Sequence, residues 1–174
     1  MYIERALEPL VRRYSENFKI VAVTGPRQVG KTTMLKHLME EEAESGVDRV
    51  YVTLDNTAIL QTAKEDPALF LQRYRPPVLI DEIQKAPELL PYIKMIVDER
   101  DDCGSVWITG SQPLHLMKAV SESLAGRVGI VEMLGLSHSE VAGTPSEPYL
   151  PSADYLMRRV DMAKPFGVSE AYRQ

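Results

Sequence analysis

Gly25, Gly30, Lys31 and Thr32 stand in the order G-x-x-x-x-G-K-[ST], within the run GPRQVGKT over residues 25–32. That spacing suits one task, the holding of nucleotide phosphates. Gly25 and Gly30 permit backbone angles that a Cβ would forbid, so the chain can wrap a phosphate. Successive N–H groups then point inward as an anion nest, and the following helix offers its positive end. The expected cradle comprises Gly25, Pro26, Arg27, Gln28, Val29, Gly30, Lys31, Thr32 and Thr33. Lys31 is expected to bridge the β- and γ-phosphates, and the Thr32 hydroxyl to bind magnesium. Arg27 and Gln28 are expected to point outward, because the backbone does the cradling.

A second group lies in VLIDEIQ, residues 78–84. Three apolar residues followed by two carboxylates read as a buried strand whose carboxyl end meets the ligand. Asp81 would hold magnesium, directly or through water, and Glu82 would act as general base on the attacking water. The pair favours water-driven ATP hydrolysis. Guanine-reading N-K-x-D is absent from the sequence, and small-molecule kinases usually lack the glutamate. In WITGSQ, residues 107–112, Thr109 or Ser111 is expected to contact the γ-phosphate or the water; the spacing does not choose between them. In SLAGRV, residues 123–128, Gly126 reads as a helix cap, and Arg127 as either a trans-acting transition-state group or an ordinary helix-end cation. His37, His115 and His138 lack ligand spacing, Cys103 reads as a bystander, and Trp107 as core.

These residues need a frame of alternating strands and helices. Strands are expected at 18–23, 49–54, 78–80, 105–109 and 128–134. Helices are expected at 2–16, 31–44, 55–63, 67–74, 87–100 and 114–124, with Asp66 and Pro67 as N-cap and first residue of the fourth. Pro9 is expected to kink the first helix. Ser137 and Glu140 have capping-box spacing. Alternation of this kind implies a parallel sheet covered on both faces.

The chain has 174 residues, of which 44% are hydrophobic and 26% charged, with a net charge of −5 and a pI near 5.3. This acidity argues against a broad nucleic-acid-binding surface. A single cysteine and no signal-peptide pattern suit a cytoplasmic protein. No apolar run reaches the length of about 18 residues that spans a membrane. Residues 143–153 hold three prolines and read as a linker, with a further short helix near 154–163.

The stretches GPRQVGKTT, LIDEIQKAPELLPYIKMIVDE, ITGSQPLHLMK and SESLAGRV, in this order, resemble bacterial and archaeal AAA+-type P-loop ATPases. Those proteins usually carry a C-terminal domain of unknown function. The resemblance covers roughly residues 2–142. It implies a three-layer α/β/α core with strand order 5-1-4-3-2, and ATP with magnesium as ligands. It supports the roles given above to Lys31, Thr32, Asp81, Glu82, Thr109 or Ser111, and Arg127. It also implies an adenine pocket near Ile3 and Leu7. A proline common before the Leu-Ser of the capping segment is Gly135 here. The expected organisation is an ATPase domain over 1–142, then a linker and part of a second domain over 143–174. The expected function is ATP hydrolysis driving a conformational switch on a partner, with a homo-oligomer completed by Arg127. The alternative is an interaction module that binds ATP and barely hydrolyses it.

Overall fold

A computed structural model describes residues 2–111, 123–143 and 157. The chain divides into two compact units, Met1–Thr144 and Pro145–Gln174. In the second, Met157 is helical and exposed. The expected helix at 114–124 lies outside the described residues except at its end. The expected linker lies outside them but for Gly143, and the 154–163 helix but for Met157.

The first unit alternates as the pattern predicts. Its elements are α1 (Glu8–Asn17), β1 (Ile20–Thr24), α2 (Lys31–Glu44), β2 (Val50–Thr53), α3 (Thr57–Glu65) and α4 (Pro67–Arg73), followed by β3 (Val78–Asp81), α5 (Leu89–Asp98), β4 (Val106–Gly110), β5 (Val128–Glu132) and α6 (His138–Val141). A short 3₁₀ turn, Ile83–Lys85, follows β3. The five strands form one sheet in the order β2-β3-β4-β1-β5, all parallel. This is the expected 5-1-4-3-2 order read from the other edge.

The three central strands β1, β3 and β4 are buried on both faces, as their mainly apolar sequences require, while the edge strands β2 and β5 are partly exposed. Ile20 and Ala22 of β1, Val78 and Ile80 of β3, and Val106 and Ile108 of β4 pack against α3, α4 and α5, through Ala63, Phe70, Leu89, Leu90, Ile93 and Val97. The alternate residues Val21, Val23, Leu79, Trp107 and Val131 pack against Val11 of α1 and Met34, Leu35 and Leu38 of α2. Trp107 is core, as expected, and its ring nitrogen donates to Ser15 Oγ at 3.0 Å.

Helix α1 begins later than its periodicity predicts. Pro9 sits in its first turn, where the missing N–H has no partner to lose, so it starts the helix and does not kink it. The residues before it are held by side chains instead: Glu8 Oε1 accepts from Arg5 N and from the Tyr2 hydroxyl, each at 2.7 Å. The Asp66 side chain caps α4 at Leu69 N, and Ser137 and Glu140 form the capping box of α6.

Candidate functional site

The cradle leaves the carboxyl end of β1 at Thr24. Gly25 has φ +142°, and a Cβ there would lie 2.0 Å from the Met133 carbonyl oxygen. Met133 N donates to Thr24 O at 2.8 Å, which pins the loop to the exit of β5. Gln28 at φ +63° and Gly30 at φ +93° give the loop further left-handed turns, the kind of backbone from which anion nests are built. Arg27 and Gln28 are exposed, as backbone cradling requires. Gly30 is the N-cap of α2, so the helix opens directly onto the loop. Lys31 is 5% exposed and its Nζ donates to Gly25 O at 3.1 Å and Pro26 O at 2.7 Å. Burial lowers its pKa, opposed by the carboxylates of Glu82 and Asp81.

Asp81, at the end of β3, is the hub. Its Oδ1 accepts from Thr32 Oγ1 at 2.7 Å and from Thr109 Oγ1, and its Oδ2 accepts from the Tyr51 hydroxyl at 3.1 Å. The sheet order makes this possible, because β3 lies between β2, which carries Tyr51, and β4, which carries Thr109. Burial and the Asp81 carboxylate push the Tyr51 hydroxyl up to about 12, so it stays a donor at neutral pH. Thr109 is fully buried and accepts from Glu82 N at 3.1 Å while donating to Asp81. The fourth strand thus supplies a hydroxyl that ties both carboxylate residues.

Glu82 lies in the left-handed region, at φ +62° and ψ +44°. Such a conformation is uncommon for a residue with a Cβ and costs about 1–3 kcal/mol. It turns the chain sharply out of β3. The Glu82 Oε2 accepts from Ser111 Oγ at 3.1 Å and from Gln84 Nε2, and Gln84 Nε2 also donates to Ser111 Oγ at 3.1 Å. A cavity of about 290 Å³ opens beside Glu82, Arg27 and Gln28, with the Lys85–Asp55 ion pair at its rim.

A second cavity, of about 350 Å³, lies on the other side of the loop against Tyr2, Ile3, Arg5, Val29, Thr33 and Leu136. Ile3 lines it. Leu7 does not: it packs into the core beside α1. Arg5 is buried at the edge of this cavity, donating from Nε to Glu140 Oε1 at 2.9 Å, from Nη1 to Val29 O at 2.7 Å and from Nη2 to Leu134 O at 2.8 Å. One guanidinium therefore joins the N-terminal segment, the phosphate loop, the exit of β5 and α6.

Arg127 stands apart. Its carbonyl accepts from Ile20 N at 3.0 Å at the start of β1, so it sits at the sheet edge opposite the cradle. Its guanidinium is paired with Asp98, and its Nη1 donates to Ala125 O at 2.9 Å. It takes no part in its own chain's site. Sequence reasoning missed Tyr51, Gln84 and Arg5. Tyr51 carried a faint signal, as the alternate residue of a strand beside the acidic one, while Arg5 carried none.

The hard oxygens of Thr32 and Asp81, in contact at the open end of a phosphate-type loop, suit a magnesium ion, and the inward N–H groups suit phosphates. Among the described residues no group of three or more His, Cys, Asp or Glu could hold a metal by itself. A magnesium ion here therefore also needs phosphate and water oxygens.

This sheet order and loop define a P-loop NTPase core. A family model described as an AAA domain matches residues 17–142, and the chain belongs to that family. It is 33% identical over 137 residues to uncharacterized protein Rv2008c of Mycobacterium tuberculosis and to uncharacterized protein Mb2031c of Mycobacterium bovis. The match covers 79% of this chain and 30% of each relative, so the chain spans under a third of their length. Solved structures share the fold. The DnaC helicase loader is 15% identical, with a TM-score of 0.53 over 76% of this chain and 94% of that one. AMPPCP-bound DnaA from Aquifex aeolicus is 17% identical, with a TM-score of 0.54 over 76% and 48%. The Walker-type ATPase paby2304 of Pyrococcus abyssi is 16% identical, with a TM-score of 0.54 over 94% and 60%. No helix among the described residues is long and apolar enough to cross a membrane.

Proposed function

We propose that this domain binds ATP with magnesium and hydrolyses it, using the cycle to switch a partner. The observation that carries the reading is the convergence of Thr32 and Thr109 on one oxygen of Asp81, with Glu82 next in the chain and hung on the same threonine. Loop, third strand and fourth strand meet there as phosphate binding and water activation require.

In this reading the N–H groups of residues 25–33 hold the phosphates. Lys31 leaves the carbonyls of Gly25 and Pro26 for the β- and γ-phosphate oxygens and offsets charge that develops on them. Thr32 and Asp81 would hold magnesium, which when bound would supply further charge neutralisation on the phosphates. Glu82 accepts a proton from water as the water oxygen bonds to phosphorus and the bridge to ADP breaks. Thr109 builds the site through its bonds to Asp81 and Glu82, and Thr109 or Ser111 contacts the γ-phosphate. The cavity at Ile3 and Arg5 receives the base and sugar. Arg127 of a second copy completes the site in trans. The domain ends near residue 142, and residues 143–174 lead toward a further domain in the cytoplasmic protein.

The test is equilibrium binding of a fluorescent ATP analogue with and without magnesium. Losing the charge-assisted bonds of Lys31 is worth about 1.5–3 kcal/mol, so Lys31→Ala should bind roughly 10- to 100-fold more weakly. Thr32→Ala should lose the magnesium enhancement. Equal binding by all three proteins would refute the phosphate-loop assignment.

A further inference from the structure

The hydrogen-bonded triangle of Glu82, Gln84 and Ser111 holds one anomaly. Among the described residues, the single buried side-chain oxygen or nitrogen without a protein partner is Gln84 Oε1. The amide spends its other end twice, donating from Nε2 to Glu82 Oε2 and to Ser111 Oγ. Turned over, the carbonyl could accept from Ser111, but it would then face the carboxylate as a second acceptor. The observed orientation therefore sacrifices the carbonyl to keep a donor on Glu82, and a buried acceptor left unpaired is a cost that needs a compensating gain.

The surrounding structure keeps the amide there. Gln84 sits in the 3₁₀ turn Ile83–Lys85, with Ile83 fully buried on one side and Lys85 paired with Asp55 on the other. Ser111, 9% exposed, closes the triangle from the end of β4. Both donors take Oε2, and no hydrogen bond from the described residues reaches Glu82 Oε1. A flexible glutamate on a left-handed kink thus gains a fixed direction, with one carboxylate oxygen left for a proton.

We propose that Gln84 is a positioning residue for hydrolysis: its amide, braced on Ser111, holds Glu82 with one oxygen free to take the proton of the attacking water. This rests on the hydrolysis reading above. Gln84 touches neither water nor phosphate in it and acts only through Glu82.

The experiment is a double-mutant cycle on phosphate release from Mg·ATP, with nucleotide Kd and melting temperature measured for each protein. Gln84→Leu keeps the side-chain bulk and removes the donor; Gln84→Met, unbranched, is the companion if leucine does not fit. In the wild-type background either should lower kcat about 10- to 100-fold, as misplacement of a reacting group by an ångström does. Kd should stay within about twofold, and in the Glu82→Gln background the same change should cost less than about twofold, because the residue it acts through is already disabled. An unchanged kcat, a parallel rise in Kd, or an equal loss in both backgrounds would overturn the proposal. Wild type that releases no more phosphate than Glu82→Gln would bring down the hydrolysis reading itself, and the proposal with it.

Discussion

Arg5 and Glu140 lie 135 positions apart and form a buried ion pair, with side chains 5% and 7% exposed. A buried charge of this kind is tolerated only when its bonds are complete, and removal of one partner typically costs about 3–5 kcal/mol. Burial by itself would raise the Glu140 carboxyl. Backbone N–H groups of Ser137 and Ala6, the Arg5 guanidinium and the Ser137 hydroxyl outweigh it and hold the carboxyl down at about 2. The folded value lies below the ordinary one of 4.5, so the contribution is present above pH 4.5 and disappears as pH falls toward 2. Melting temperatures of wild type and Glu140→Gln should differ at pH 7 and converge between pH 4.5 and 2. A constant gap across that range would show that the charge of Glu140 does not matter. Since Arg5 also holds the Val29 carbonyl, Glu140→Gln should weaken ATP binding at neutral pH as well.

At the level of elements, α1 docks on the sheet over a glycine of β5. A Cβ on Gly129 of β5 would lie 2.6 Å from Tyr14 Cδ2 and 2.7 Å from Phe18 Cδ2. Both rings are wedged against the sheet and against each other, with centroids 5.2 Å apart. Gly129→Ala should therefore destabilise the domain by about 1–3 kcal/mol in urea unfolding, through overpacking. Gly135→Ala, where an added Cβ meets nothing within 4 Å, should stay within about 0.5 kcal/mol. Equal effects would mean that α1 is not seated by this contact. The element scale also shows what sequence can and cannot yield. Strand positions followed from unbroken apolar runs, and the start of α2 from the cradle itself. The start of α1 did not, because side-chain bonds from Glu8 and Arg5 replace a helical turn that periodicity alone would extend. The 3₁₀ turn after β3 also went unread, since its left-handed entry at Glu82 has no glycine to announce it.

Across the whole domain, parallel strand order decides which residues meet. The carboxyl ends of β1, β3 and β4 gather the cradle, Asp81, Glu82 and Ser111 at one edge, while Arg127 stands at the other. Lys31, Thr32, Asp81 and Glu82 were legible because each sits within a local motif at a strand end. Tyr51, Gln84 and Arg5 were not, because their partners are fixed by strand register and by contacts across the sheet. If Arg127 of a second copy leaves Asp98 and completes the site in trans, as proposed, turnover per molecule should rise with protein concentration, and a mixture of Arg127→Ala with Glu82→Gln should recover activity that neither has alone. The most direct test of the central claim is phosphate release from Mg·ATP by wild type and Glu82→Gln over a range of protein concentrations. Wild type is expected to turn over, while Glu82→Gln binds ATP as tightly and falls at least about 100-fold in rate. Wild type that binds ATP yet releases no more phosphate than the variant would contradict that claim.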